Sequence, residues 1–391
     1  MQTLMLSPEP PYPLHSGGAY RTASLLHYLA RISGPDLILF TESGRPALLP
    51  PGLVRSQQVI SLPLNRKDSF ARYFRNAWRA LRGVPPLIDR LRGFESELER
   101  LLAGHQYDIG IVEHFWCAPY VELLARFCNK TVLDLHNVES VLHERCATFS
   151  HGAVQAGHRR FAAASRKLEA RLLPRFSLVL APSEADAEMV RRIAPGAKVR
   201  VYPNAFPLVP APGPTKKKRD LLIFSANFDY HPNIDAVEFL LSEIWPEVRR
   251  RHPELCLRLV GRGDAAIGHL VRSASGVETT GPIEDAFAEI AQATIVIAPL
   301  RAGSGTRLKI IEAWAAARPV VATPLAAEGL EARDGENLLL ARTAEEIAGA
   351  IGRLLADPAL RDRLSAAGRA AFEHSYSWEA AWAGLDLTRN L

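Results

Sequence analysis

Short apolar runs alternate with stretches of helical periodicity along almost the whole chain, and the alternation stops once. Thr3–Leu6, Leu37–Phe40, Val59–Leu62, Ile109–Glu113, Thr131–Leu135, Ser177–Ala181 and Lys198–Tyr202 read as strands. Between them Tyr20–Ile32, Ser69–Arg82, Phe94–Leu102 and a long stretch near 139–172 read as helices. Such alternation builds βαβ crossovers, and therefore parallel sheets with helices on both faces. Around 203–220 the pattern fails: a run with prolines at 203, 207, 210, 212 and 214 cannot hold a helix or a central strand, and Lys216, Lys217, Lys218 and Arg219 follow it. Strands resume at Leu221–Ser225, Cys256–Val260, Ile295–Ala298, Val320–Thr323 and Leu338–Leu340. Pro232 stands at the start of a helix over 233–250, and Asp357-Pro358 supplies an N-cap followed by proline at the first helical position. The expected fold class is α/β: two doubly wound, Rossmann-like domains, 1–205 and 221–375, joined by a Pro/Lys-rich linker at 206–220. Two such domains would face a central cleft, and ligands bind at the carboxyl ends of parallel strands.

Several classes are excluded at this stage. A chain of 391 residues with 48% hydrophobic and 23% charged residues has the composition of a soluble globular protein too long for one small domain. No apolar run approaches the ~18 residues of a membrane span. Met1–Leu6 meets Pro8, Pro10, Pro11 and Pro13 at once, unlike a secretory leader. Cys117, Cys128, Cys146 and Cys256 share no C-x-x-C spacing, so neither a zinc cage nor a disulfide framework is expected, and the thiols suit a reducing cytoplasm. The net charge of +5 is local: residues 66–82 carry Arg66, Lys67, Arg72, Arg75, Arg79 and Arg82 against Asp68 alone, which equals the surplus of the whole chain. A patch of this kind points to an anionic surface or substrate and not to nucleic acid. In the same segment Phe70, Phe74, Ala77, Trp78 and Leu81 recur at helical spacing. They make either an interfacial helix on anionic lipid or an ordinary core stripe beneath solvated arginines.

Four places carry residues suited to chemistry. The first is the run from Ala302 to Trp314, where a strand ending near Leu300 enters a glycine-rich turn and then a helix. Free N–H groups and glycines there allow close approach of an anion. Arg307 and Lys309 oppose the helix macrodipole by about 0.3–1 kcal/mol each, which is accounted for if a diphosphate sits among them. The alternatives are side chains in solvent, or Lys309 paired with Glu312. Glu312 lies one turn on among Ile310, Ile311, Ala313 and Trp314; it either accepts hydrogen bonds from vicinal ribose hydroxyls or is a surface carboxylate. The second place is Gly17-Gly18, between the first strand and the helix starting at Ala19, which lacks the full G-x-G-x-x-G of a dinucleotide fold. The third is Asp134-Leu135-His136-Asn137, where alternation puts Asp134 and His136 on one face. They orient a substrate group or cap the next helix; His136, Glu139 and His143 match no strong zinc spacing. The fourth is the basic segment 66–82.

Taken together these motifs resemble the GT-B glycosyltransferases, and specifically the retaining glycosyltransferase family 4. The resemblance rests on Ser16-Gly17-Gly18, Asp134-Leu135-His136, Ala181-Pro182-Ser183-Glu184-Ala185-Asp186 and Tyr202-Pro203-Asn204. It continues with Phe228-Asp229-Tyr230-His231-Pro232-Asn233, Gly303-Ser304-Gly305-Thr306-Arg307-Leu308-Lys309 leading to Glu312-Ala313, and Arg318-Pro319-Val320-Val321-Ala322-Thr323. It implies an enzyme that moves a sugar from a nucleoside diphosphate sugar to the hydroxyl of a sugar or lipid-linked acceptor, with retention and in glycan or glycolipid biosynthesis. The donor would be held by Gly17, Gly18, Asn227, Gly303, Ser304, Gly305 and Thr306, with Arg307, Lys309, Glu312 and His136 as catalytic residues. No metal and no cofactor are implied, and residues 376–391 would cross back to the first domain. A cytoplasmic location is expected from the reduced thiols and the proline-rich start, and it is peripheral to the inner face of the membrane if the interfacial reading of 66–82 holds. This sequence departs from the family at Ser304, where a glutamate is usual, and at Ser225–Asp229, where many members carry an Arg–Lys pair. Arg307 and Lys309 would then supply the positive charge. Two rival activities remain at this stage, a UDP-sugar epimerase of the same fold and a non-catalytic nucleotide-sugar-binding protein.

Overall fold

The computed structural model of the protein describes residues 1–14, 16–63, 78, 79, 82–148, 150–213, 220–302 and 308–387. Residues 303–307 and most of the basic segment (64–77, 80 and 81) lie outside the described residues. The chain forms two compact units, Met1–Asn204 with Trp382–Leu391, and Ala205–Ala381.

The first unit is built on a seven-stranded parallel sheet: β1 (Thr3–Ser7), β2 (Asp36–Thr41), β3 (Ser56–Ser61), β4 (Tyr107–Glu113), β5 (Cys128–Asp134), β6 (Leu178–Ala181) and β7 (Val199–Val201). Their order is β3-β2-β1-β4-β5-β6-β7. Central strands are continuous apolar runs because both sheet faces are covered; Leu4, Met5 and Leu6 of β1 are fully buried. The second unit has six parallel strands: β8 (Leu221–Ser225), β9 (Cys256–Val260), β10 (Val277–Thr279), β11 (Ile295–Ala298), β12 (Val320–Ala322) and β13 (Leu339–Leu340), in the order β10-β9-β8-β11-β12-β13. In each sheet the order reverses beside the first strand, between β1 and β4 and between β8 and β11. Such reversals leave a crevice outside the carboxyl ends of the strands.

The helices used below are α1 (Gly17–Ile32), α2 (Glu139–Thr148), α3 (Gly152–Leu172), α4 (Glu184–Ile193), α5 (His231–Phe239), α6 (Leu308–Ala315) and α7 (Trp378–Ala383). Three local expectations change. Gly17 and Gly18 do not precede the first helix; they form its first turn, because the Ser16 side chain caps it by accepting from the Ala19 N–H at 3.2 Å. The long helix near 139–172 is two helices, with extended His151 as the second N-cap and Gly152 at φ 58°. Strand β10 went unrecognised because Val277-Glu278-Thr279 has no apolar run: it is an edge strand whose Glu278 pairs with Arg258 of β9 at 3.1 Å. Asp357 does cap its helix, accepting from Leu360 N–H at 2.9 Å with Pro358 at the first position.

All four cysteines are free thiols. Among the described residues no helix is long and apolar enough to cross a membrane. Of the basic segment, Trp78 is 62% exposed and Arg79 pairs with Asp89 at 2.7 Å. The last described residues pack within the first unit, where Trp382 Nε1 donates to the Ser24 carbonyl at 3.1 Å and Leu387 N–H to the Tyr28 hydroxyl at 3.2 Å.

Candidate active site

In the first unit the crevice is organised by register. Strands β4 and β5 pair so that Glu113 and Asp134 stand side by side at their carboxyl ends. Two carboxylates this close and this buried need a cation, and α1 delivers it from its second turn. Arg21, 1% exposed, donates from Nε to both Asp134 oxygens at 3.0 and 2.9 Å and from Nη2 to Oδ1 at 2.5 Å. Its Nη1 donates to the Tyr202 carbonyl at 2.7 Å and to Asn204 Oδ1 at 2.9 Å, and the guanidinium lies 4.8 Å from the centre of the Tyr202 ring. One arginine therefore gathers Asp134 with Tyr202 and Asn204, which belong to two separate motifs in the sequence.

Glu113 faces the other way. Its Oε2 accepts from the Thr22 hydroxyl at 3.0 Å and lies 2.8 Å from His136 Nε2, while Oε1 is buried without a partner. Burial pushes the Glu113 carboxyl up to about 7, against the charge of Arg21 and the Thr22 bond. Burial also pushes the Asp134 carboxyl up and the Glu113 charge adds to this, while Arg21 opposes it with its charge and its hydrogen bonds and holds Asp134 as its ion-pair partner. His136 is held well below the usual histidine value by burial and by Arg21, so the ring is neutral. His114 stacks on it with ring centres 3.5 Å apart and is neutral for the same reasons, with His136 adding to them. On its other side His114 stacks on Trp116 at 4.2 Å, and its backbone takes φ 61°, a strained value for a residue with a side chain. Trp116 Nε1 donates to Glu139 at 3.0 Å. A side chain on Gly18 would stand 3.4 Å from His136 Nδ1, so the glycine keeps that ring nitrogen clear. With Nε2 on Glu113 and Nδ1 toward Gly18, the neutral imidazole can hold a hydroxyl and exchange a proton with its carboxylate neighbour.

Metal-ligand geometry occurs here too. Glu113, Asp134 and His136 each bring one ligand atom within 4.8 Å of the others, but both oxygens of Asp134 are engaged by Arg21. The positive charge of the cluster is the guanidinium. His136, Glu139 and His143 do not come together; His143 Nδ1 lies 3.1 Å from His158 Nδ1.

In the second unit, helix α6 is seated by Ile310, Ile311, Ala313 and Trp314, all fully buried, with Trp314 Nε1 donating to the Asn337 carbonyl at 3.1 Å. Lys309 and Glu312 fall on the remaining, half-buried face. Lys309 does not turn to solvent: Nζ donates to Asn233 Oδ1 at 3.1 Å and lies 4.7 Å from the centre of the Phe224 ring. Asn233 in turn donates from Nδ2 to the Asn227 carbonyl at 2.7 Å, and the Asn227 side chain accepts from the Asp229 N–H at 3.1 Å. This turn after β8 packs against the end of β9, where Gly261 is obligatory. At φ 133° its Cβ would stand 2.0 Å from the Ala226 carbonyl oxygen. Burial raises the Glu312 carboxyl to about 7 against the charge of Lys309.

Of the residues expected from sequence, the structure joins His136 with Gly18, and links Lys309 through Asn233 to Asn227. Gly17 opens α1 next to Gly18. Gly303, Ser304, Gly305, Thr306 and Arg307 lie outside the described residues. Sequence reasoning missed Arg21, Thr22, Glu113 and His114. Two of them had a signal: Glu113 closes an otherwise apolar strand, and Arg21 interrupts an apolar helix face.

Two family models match, that of glycosyltransferase family 4 over residues 15–208 and that of glycosyl transferases group 1 over residues 219–357. Phosphatidyl-myo-inositol mannosyltransferase of Mycobacterium leprae is 33% identical over 148 residues, 36% of this chain and 38% of that protein. The chain thus matches little more than a third of that relative's length. Sucrose-phosphate synthase from Thermosynechococcus elongatus superposes with a TM-score of 0.74 at 19% identity, covering 97% of this chain and 96% of that one. Anabaena HepE, crystallised with UDP and glucose, superposes with a TM-score of 0.66 at 16% identity, covering 97% of each. With two doubly wound units, each matched by one of these models, the chain belongs to the group 1, family 4 glycosyltransferases of GT-B fold.

Proposed function

We propose that this protein transfers a sugar from a nucleoside diphosphate donor to an acceptor hydroxyl with retention of configuration. The observation that carries the reading is the fixed ammonium of Lys309, tied to Asn233 at 3.1 Å beside half-buried Glu312 on α6, after the strand where the sheet order reverses. A diphosphate gains charge as the glycosidic bond breaks, and positive groups already in position stabilise it more in the transition state than in the ground state. Arg307 and Lys309 are the cations in this reading, with the backbone at Gly303, Ser304, Gly305 and Thr306, and at Gly17 and Gly18, as further donors. Glu312 accepts from the ribose hydroxyls, Asn227 lines the donor side, and neutral His136 lies against the transferred sugar. Front-face attack, with the departing phosphate taking the acceptor proton, needs no covalent nucleophile. No step uses a metal. The acceptor is a sugar or lipid-linked hydroxyl; the named activity of the mycobacterial relatives supports the lipid. The protein then works in the cytoplasm, with the segment 66–82 against the inner face of an anionic membrane.

The experiment is a thermal-shift panel of UDP, GDP, ADP and their sugar conjugates, followed by a transfer assay. Ligand at 100 times its Kd adds about 2.7 kcal/mol of stability. Arg307→Ala is expected to lower transfer at least about tenfold with an unchanged melting temperature, since removing one such donor typically costs about 3 kcal/mol. Wild-type turnover in that variant, or an isomerised nucleotide sugar as the only product, overturns the reading.

A further inference from the structure

The first unit also contains a concavity of about 670 Å³. Arg82, Arg92, Arg160, Lys167 and Arg171 line it, and among the described residues no acidic side chain does. Three of these cations come from one helix. At 3.6 residues per turn Arg160, Lys167 and Arg171 of α3 fall within about 40° of one another, along about 16 Å of its length. Ala163 and Ala164 lie among them and keep the floor low. Arg82 and Arg92 come from two other stretches of chain.

Arginines close to these in the sequence are paired with acids: Arg79 with Asp89, Arg90 with Glu42, and Arg166 of the same helix with Glu144. Among the described residues the five lining cations have no ion pair. Crowding like charges around one hollow is unfavourable unless an anion neutralises them. Guanidinium groups match phosphate oxygens two at a time, and a lysine adds a point charge. A flat basic surface would serve for a diffuse attraction; a hollow of this volume fits a discrete group.

We infer that this hollow is a binding site for a ligand carrying two or more phosphate groups, engaged by Arg160, Lys167 and Arg171 from α3 and by Arg82 and Arg92 from the opposite side. Its cations are not among the residues proposed for sugar transfer; Arg82 also ends the segment proposed to lie against the membrane, so a lipid headgroup here would deepen that part of the reading, whereas a soluble ligand is independent of it. Its phosphates come either from a soluble phosphorylated compound or from anionic lipid headgroups.

The test uses the full chain, with inorganic pyrophosphate in calorimetry and flotation on phosphatidylglycerol against phosphatidylcholine vesicles. Three variants accompany the wild type. R160A/R171A empties the hollow of two cations. R159A/R166A removes the same charge from other faces of α3. K309M controls for pyrophosphate held in the second unit. K309M is expected to lose any pyrophosphate held in the second unit and to keep the binding in the hollow; that retained binding should weaken at least tenfold in R160A/R171A and little in R159A/R166A, with equal melting temperatures throughout, since a charge-assisted hydrogen bond supports a loss of that size. Binding of pyrophosphate in solution assigns a soluble ligand. Flotation on phosphatidylglycerol that is lost only in R160A/R171A, without binding in solution, assigns a lipid headgroup. Equal losses in R160A/R171A and R159A/R166A, or a wild type that neither binds nor floats, overturn the inference.

Discussion

Replacing Glu113 by glutamine keeps the shape of the side chain and removes its charge. The folded carboxyl titrates at about 7 because it is buried, against an ordinary value of 4.5. A folded-state value raised in this way means that the folded protein holds the proton more tightly than the unfolded chain. The resulting stability is complete below pH 4.5 and is lost as the pH rises through 7. A displacement of about 2.5 units corresponds to about 3 kcal/mol across that window. The amide has nothing to lose, so Glu113→Gln should match the wild type near pH 4.5 and exceed it by up to about 3 kcal/mol at pH 8. Asp134, also raised by burial, gives both proteins a slope of the same sign, and because the Glu113 charge adds to that rise the difference between the two reports Glu113 together with its coupling to Asp134. Urea melts read by hydrogen-exchange mass spectrometry on peptides covering β4 and β5 report the first unit separately. A difference that stays constant from pH 4.5 to 8 refutes the assignment of the proton to Glu113.

Three further outcomes can be checked. Arg21→Met strands Asp134 and Glu113 without their cation and should cost the first unit about 3–5 kcal/mol in chemical denaturation, whereas R21M/D134L recovers most of it; a double variant no better than the single one contradicts the pairing. Gly261→Ala puts a methyl group 2.0 Å from the Ala226 carbonyl at a positive φ, and the second unit should lose at least about 1–3 kcal/mol by the same measurement. Lys309→Met removes the ammonium held by Asn233; nucleotide affinity should fall about tenfold or more in calorimetry, with the melting temperature within a degree or two of the wild type.

Much of the fold was legible because both sheets are parallel and covered on both faces, so their central strands are bare apolar runs that stand out in the sequence. Where that condition lapses the reading lapsed: β10, at an edge, has one apolar residue in three. The split between α2 and α3 was hidden because helical periodicity continues across it, and only Gly152 marks the break. At the site, Lys309 and Glu312 could be read from a helix start, and His136 from a strand end, since both are local patterns. Arg21 could not be read that way. Its partners Asp134, Tyr202 and Asn204 lie 113 to 183 residues away and meet it only once the sheet order is fixed. A buried ion pair that joins three segments has no spacing to recognise. Its one trace is a charge in the wrong place on a helix.

The packing of Trp382 on Ser24 and of Leu387 on Tyr28 has a bearing on how the protein is made. The first unit begins to emerge from the ribosome early, yet the residues that cover this part of α1 are translated only after the second unit. At ribosomal rates that interval is on the order of ten seconds. During it this part of α1 lacks the cover that Trp382 and Leu387 later give, and the last step in completing the first unit falls after, not before, synthesis of the unit that follows it.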